Sequence, residues 1–320
     1  APWQLPPRPV LPLLACRPCH VPMAMQVHLS ALEDGGKAAS PAPLFGRLRD
    51  KRGRAADAVQ AARELRRRGW LRTATDYTDA VAGLGRHGLW REALDLLSEM
   101  LLKGIELRVE PFNAAIGACG EAWQRALGLL GEVKWRLLEP TAFTYSSAIG
   151  SCAKGKLWAR GLSLLEEALT EGVEVSTVLF NVALSACARG RQWRIALGLL
   201  RDMAGALCAP TAVTYNTAVS ACEKGGRWNL ALLLLAEMRG LGLELGVVTC
   251  SAAVSACARE GRWDLALDLL ADMKRTLVAP NVVSYSAAMS ACEKGLQWAR
   301  ALASLARMRP EAEPNVVTHS

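Results

Sequence analysis

The chain has 320 residues, 51% hydrophobic and 21% charged, with a formal net charge of +8. No uncharged apolar run of 18 or more residues is present, which excludes a helical membrane span. The positive charge is confined to one end: residues 1–73 hold 13 Lys and Arg against 5 acids, and residues 74–320 hold 25 against 25, so bulk charge cannot drive binding by the larger part.

Residues 1–54 are rich in Pro and Arg and read as a low-complexity N-terminal segment. Few acids occur in it, which is compatible with the remnant of an organelle transit peptide. Within it Cys16-Arg17-Pro18-Cys19-His20 matches the c-type haem attachment pattern, and His28 would complete a nominal zinc set. The proline-rich surroundings leave no room for a haem-enclosing fold, so the match reads as coincidence, and neither a cofactor nor a metal is expected. Residues 55–73 read as a degenerate half repeat.

From residue 74 the chain becomes periodic. Trp90, Trp123, Trp158, Trp193, Trp228, Trp263 and Trp298 follow one another at intervals of 33 and then 35 residues. Cys119, Cys152, Cys187, Cys222, Cys257 and Cys292 keep the same phase. A fixed period of this size means an array of one supersecondary unit, each too small to bury its own apolar face. The unit Ala212–Gly246 shows the pattern: a first helical stretch ending at Gly225-Gly226, then a second beginning at Trp228 with a wide apolar face. Each unit is a helical hairpin, and the tryptophans are expected in the core. The spans are 74–108, 109–141, 142–176, 177–211, 212–246, 247–281 and 282–315, with 316–320 starting an eighth unit. The second unit is shortened around Gly120–Gln124. The whole reads as a fragment of a longer array.

The wording of the units resembles pentatricopeptide repeats. Ala212-Val213-Thr214-Tyr215-Asn216, Val247-Val248-Thr249-Cys250-Ser251 and Val282-Val283-Ser284-Tyr285-Ser286 match the start of that repeat. Glu99-Met100, Asp202-Met203, Glu237-Met238 and Asp272-Met273 match the end of its second helix, and Pro140-Thr141, Pro210-Thr211, Pro280-Asn281 and Pro314-Asn315 match its close. The resemblance covers residues 74–315. It implies an all-α, right-handed α-solenoid whose first helices line a groove for single-stranded RNA, with one base read per repeat.

By the same resemblance, the base readers are the residue after the Tyr-like position and the last residue of the unit. The pairs are Thr78 with Arg108, Asn113 with Thr141, Ser146 with Ser176, and Asn181 with Thr211. They continue with Asn216 and Gly246, Ser251 and Asn281, and Ser286 and Asn315. Short uncharged side chains suit the edge of a base, and the same residue types also suit helix caps. In the family's pattern a first-reader Asn favours pyrimidine, and Ser or Thr with a final Asn implies adenine. The units then read as unassigned, pyrimidine, unassigned, pyrimidine, pyrimidine, adenine, adenine, the third leaning purine. Arg108, Ser176 and Gly246 match the family's final residue poorly. Phe143, Val178, Val213, Val248 and Val283 would flank the bases, whereas Thr75 and Glu110 depart from that pattern.

Arg86, Lys154, Arg189, Lys224, Arg259 and Lys294 recur at the end of the first helices, where they suit both phosphate contacts and the helix dipole. The phased cysteines sit one repeat apart, too far for bridging, and imply a reducing compartment. No phosphate loop, catalytic triad or paired-carboxylate motif is present, so no enzyme activity is expected of these residues. The expectation is organelle RNA processing, stabilisation or translation, in a chloroplast or mitochondrion, alone or with other RNA-processing proteins. A small-molecule substrate is not expected. The rival is a protein scaffold solenoid binding a peptide or a partner protein, which the neutral array favours. The variation among Ser, Thr and Asn at one fixed position favours RNA.

Overall fold

A computed structural model of the chain describes residues 40–50, 53–174, 176–205 and 208–308. The haem-like motif, Asn315 and the start of the eighth unit lie outside the described residues. Among those described, the regular elements are helices in antiparallel pairs. Helices α1 (Ala42–Arg49) and α2 (Ala55–Arg67) come first. The next pairs are α3 (Ala74–Arg86) with α4 (Trp90–Leu102), α5 (Val109–Ala118) with α6 (Trp123–Trp135), and α7 (Ala142–Lys154) with α8 (Trp158–Thr170). Then come α9 (Thr177–Arg189) with α10 (Trp193–Gly205), α11 (Ala212–Lys224) with α12 (Trp228–Gly240), α13 (Val247–Arg259) with α14 (Trp263–Arg275), and α15 (Val282–Lys294) with α16 (Trp298–Met308).

Most of the first helices in the periodic part start at a polar cap and stop at a sharp turn; α5 and α13, which start at Arg108 and Gly246, have no side-chain cap. Thr73, Thr141, Thr211 and Asn281 form capping boxes with Asp76, Thr144, Thr214 and Ser284, satisfying amides that the helix leaves orphaned. At the other end the Cys152, Cys187 and Cys222 carbonyls accept from the Leu157, Gln192 and Arg227 amides at 2.9, 2.9 and 2.8 Å, closing Schellman-type turns. The paired glycines therefore differ in purpose. Gly226 has φ +67° and supplies the left-handed residue of the turn, whereas Gly225 is right-handed at φ −82°. What Gly225 provides is space: a Cβ there would lie 2.5 Å from Cδ1 of Trp193 in the preceding unit. Gly155, Gly190 and Gly295 receive Trp123, Trp158 and Trp263 in the same way.

That contact corrects the expectation that the tryptophans are core. Trp90, Trp123, Trp158, Trp193, Trp228 and Trp263 are half-buried, and Trp298 is 74% exposed. The ring edges press on the next unit's turn backbone, and several faces are covered by arginine, as where Arg262 lies 4.6 Å from the Trp228 ring and Arg300 4.1 Å from Trp263. The core proper is built from the buried cysteines and alanines such as Ala126, Ala196 and Ala231, the leucines of the second helices and the buried Met100, Met203, Met238 and Met273. Burying one such large apolar side chain contributes about 1.5–3 kcal/mol. Two tyrosines of the first helices reach the acids before those methionines: Tyr77 Oη donates to Glu99 Oε1 at 3.1 Å and Tyr215 Oη to Glu237 Oε1 at 2.8 Å, while Tyr145 reaches Glu171. The Tyr and Glu-Met motifs are thus two ends of one tie within a hairpin.

The array also begins earlier than the sequence reading placed it. Helix α1 lies inside the span 1–54 and packs on both α2 and α3, so residues 42–67 form a hairpin rather than a half repeat starting at residue 55. Leu48 is fully buried there, and a Cβ on Gly83 would come within 2.8 Å of its Cβ. This hairpin lacks the Trp and Cys landmarks, and its eight-residue α1 is too short for periodicity to register.

First helices pack side by side in one continuous row from α1 and α3 through α13 and α15. Each of α4, α6, α8, α10, α12 and α14 packs on its own first helix and on the next, but no two second helices pack comparably on each other. The first helices therefore form the tight inner row and the second helices splay, which puts the first helices on the concave side of the solenoid.

Candidate nucleic-acid interface

At two junctions the first turns of successive first helices bring together residues far apart in sequence. Ser251 Oγ lies 3.3 Å from Asn281 Oδ1, so the expected reader pair of the sixth unit is one local cluster. Ser251 Oγ also donates to the Val247 carbonyl at 2.7 Å and lies 2.8 Å from Ser284 Oγ. Thr141, Ser176, Thr211, Gly246 and Asn281 are the N-cap residues of α7, α9, α11, α13 and α15, so each unit's last residue sits at the mouth of the next first helix. Capping and reading are compatible here: Asn281 Oδ1 accepts from the Ser284 amide at 2.9 Å while facing Ser251.

The other residues expected as first readers fall into two groups. Thr78, Ser146 and Ser286 turn their hydroxyls back onto the helix, donating to the Ala74, Phe143 and Val282 carbonyls at 2.8, 3.0 and 2.7 Å. The asparagines behave differently. Asn113 is 7% exposed and its Oδ1 has no hydrogen-bond partner, and Asn181 Oδ1 is buried and equally unpartnered. A buried amide oxygen left unpaired costs about 1–3 kcal/mol, so both are poised to accept a donor. Asn216 Oδ1 instead accepts from Thr249 Oγ1. Arg108 pairs with Glu106 at 3.0 Å.

Beside the readers runs a solvent-facing apolar column. Phe143, Val178, Val213, Val248 and Val283 are between 57% and 73% exposed, so they are not packing residues. In the third to seventh units an exposed apolar side chain thus lies three positions before each expected polar reader, whereas the first two units have Thr75 and Glu110 there.

The basic residues close the first helices. Arg86, Lys154, Arg189, Arg259 and Lys294 are exposed and Lys224 is half-buried. Part of this ladder is already engaged: Arg259 pairs with Glu223 at 3.1 Å, and Lys294 Nζ donates to the Arg259 carbonyl at 3.1 Å. The second unit has no rung, because α5 ends at Ala118 and Glu121 stands where the cation would be.

The third residue of four units carries a hydroxyl that was not among the expected site residues. Thr144, Thr214, Thr249 and Ser284 are fully buried at the junctions between units, and Thr249 and Ser284 touch the preceding unit's reader. Their recurrence was visible, but a hydroxyl three residues after a cap reads as part of the capping box alone.

The buried cysteines are chemically quiet. Burial pushes the thiols of Cys119, Cys187, Cys222 and Cys257 up to about 11, so they stay protonated at neutral pH. Among the described residues, no group of three or more His, Cys, Asp or Glu is placed to hold a metal ion, and no helix is long and apolar enough to cross a membrane.

Comparison with known proteins agrees with this architecture. The model of the pentatricopeptide repeat domain matches residues 163–225 and 233–294, and that of the PPR repeat matches 77–105, 143–173 and 213–243. The crystal structure of the pentatricopeptide repeat protein PPR10 from maize superposes with a TM-score of 0.63 at 27% identity, covering 82% of this chain. This chain spans 41% of the maize protein. The PPR domain of Arabidopsis thaliana protein-only RNase P 1, in complex with tRNA, matches with a TM-score of 0.49 at 18% identity over 57% of this chain and 95% of that one. No curated protein sequence matches. Family models and fold together establish that the chain belongs to the pentatricopeptide repeat family.

Proposed function

We propose that this chain binds single-stranded RNA sequence-selectively, one base per repeat, along the row of first helices. The observation that carries this reading is the repeated pairing of a polar reader with an exposed apolar neighbour. Asn216 beside Val213, and Ser251 beside Val248, repeat one site at the spacing of the units. The reader's cluster is completed across the junction, as Asn281 completes that of Ser251. Phosphates would be met by the cations at the ends of the first helices, not by net charge. The biological setting that best fits such a module is an organelle transcript held by site occupation for processing, stability or translation.

Selection from a random single-stranded RNA pool tests the proposal directly. Units four to seven are expected to enrich two pyrimidines followed by two adenines. Weak, sequence-blind retention would sink base reading and leave a protein-binding solenoid.

A further inference from the structure

We propose that Thr249 is a positioning residue for the base reader Asn216, and that by turning the amide nitrogen toward the groove it makes the fifth unit favour a base that places an acceptor at that nitrogen, as O2 of uracil or cytosine does. This rests on the reading of the array as a base-by-base RNA binder. The sequence pattern ranks the fifth unit as weakly specified because its last residue is Gly246. The structure gives that glycine a consequence of its own.

At the two junctions where the preceding unit ends in a threonine cap, the third-residue hydroxyl is bound to that threonine and has no bond to the reader. Thr214 Oγ1 accepts from the Thr211 amide at 3.0 Å and lies 3.1 Å from Thr211 Oγ1. Thr144 does the same with Thr141, at 2.9 and 3.1 Å. The asparagine readers facing those two junctions, Asn181 and Asn113, are the ones whose Oδ1 atoms lack a partner. Gly246 has no side chain and forms no capping box. Thr249, fully buried, has its hydroxyl released from that duty and gives it to Asn216 Oδ1.

The chemical effect follows from the asymmetry of a primary amide, with one end accepting and the other donating. While Thr249 donates to Oδ1, the amide presents its nitrogen outward, and turning it over requires the hydroxyl to give up its donated bond and accept from the amide instead. Its nitrogen is then the end available to a ligand, with two N–H donors. A pyrimidine offers O2 to such a donor. An amide held in one orientation also discriminates more sharply than one able to turn, as those of Asn113 and Asn181 are.

The test measures binding of the whole chain to RNAs differing only in the base facing the fifth unit. The parent is expected to favour uracil and cytosine over purines there by roughly 3- to 10-fold, the scale of one hydrogen bond. T249V should remove that preference while leaving discrimination at the sixth unit unchanged, and T249S should retain it. If T249V does not fold, Gly246 gives an independent route, since a Cβ there meets nothing within 4 Å. G246A should keep the preference, and G246S, which offers Thr249 a capping partner, should weaken it. Full preference at the fifth base in T249V, or undiminished preference in G246S, overturns the inference while base reading at the other units stands. No preference at any unit in the parent overturns the RNA reading and this inference with it.

Discussion

The hydroxyl of Ser251 and the amide oxygen of Asn281 are 3.3 Å apart, although 30 positions separate them in the chain. One belongs to the first turn of α13 and the other caps α15, so the site exists only when two units stack. The single Ser251 proton is contested by three oxygens, those of Val247, Asn281 and Ser284.

Replacing Ser251 by Asn should convert the sixth base from adenine to pyrimidine preference. A reversal of roughly 10-fold in the ratio of the two affinities is expected, with the other bases unaffected. Equilibrium binding to RNAs varied at that base decides it; an unchanged ratio would remove Ser251 from the reader set.

The glycines of the turns divide into two kinds. Gly225→Ala places a Cβ 2.5 Å from Trp193 Cδ1 and should destabilise the array by about 1–3 kcal/mol. Gly198→Ala lies within α10 with nothing within 4 Å of the new Cβ, so it should stabilise by about 0.5–1 kcal/mol. Urea unfolding of the two variants side by side checks both signs, and equal effects would refute the role of space at Gly225.

Alkaline pH should loosen the fold. The thiols of Cys119, Cys187, Cys222 and Cys257 rise from 9.0 to about 11 on burial, so above pH 9 the unfolded chain loses protons that the folded chain keeps. Stability is therefore full below pH 9 and falls toward pH 11, by at most about 1.4 kcal/mol per pH unit for each thiol. Burial pushes Tyr145 and Tyr215 up to about 12, and they act in the same direction above pH 10. Melting temperatures measured from pH 7 to 10.5 should decline in the upper range, less steeply for Cys222→Ala. A flat profile would contradict the burial of these groups.

Salt dependence reports on the cationic ladder. Six phosphate contacts to a single strand predict a log–log slope of about −4. Lys154→Ala should lower the magnitude of the slope by about 0.7. Arg259→Ala should lower it by less, because Glu223 already shares that charge. A slope near zero for the parent would place the nucleic acid elsewhere.

Sequence alone determined the repeat, the helical hairpin and the columns that face inward. Period and polarity are local properties, and a helix start such as Thr211-Ala212-Val213-Thr214 fixes its own first turn whatever lies beyond it. Tertiary packing decided what happens between units. The turn glycines read as helix stops, yet Gly225 is needed because a Trp from the preceding unit presses on it. Helix α1 has no landmark of its own, and its place in the array is set by Leu48 meeting the bare backbone of Gly83. Thr249 reads as half of a capping box, yet its hydroxyl meets Asn216 of the preceding unit, while Gly246 offers it no side chain to cap. A hydroxyl donates its one proton to the acceptor within reach, and stacking, not sequence neighbourhood, brings that acceptor there.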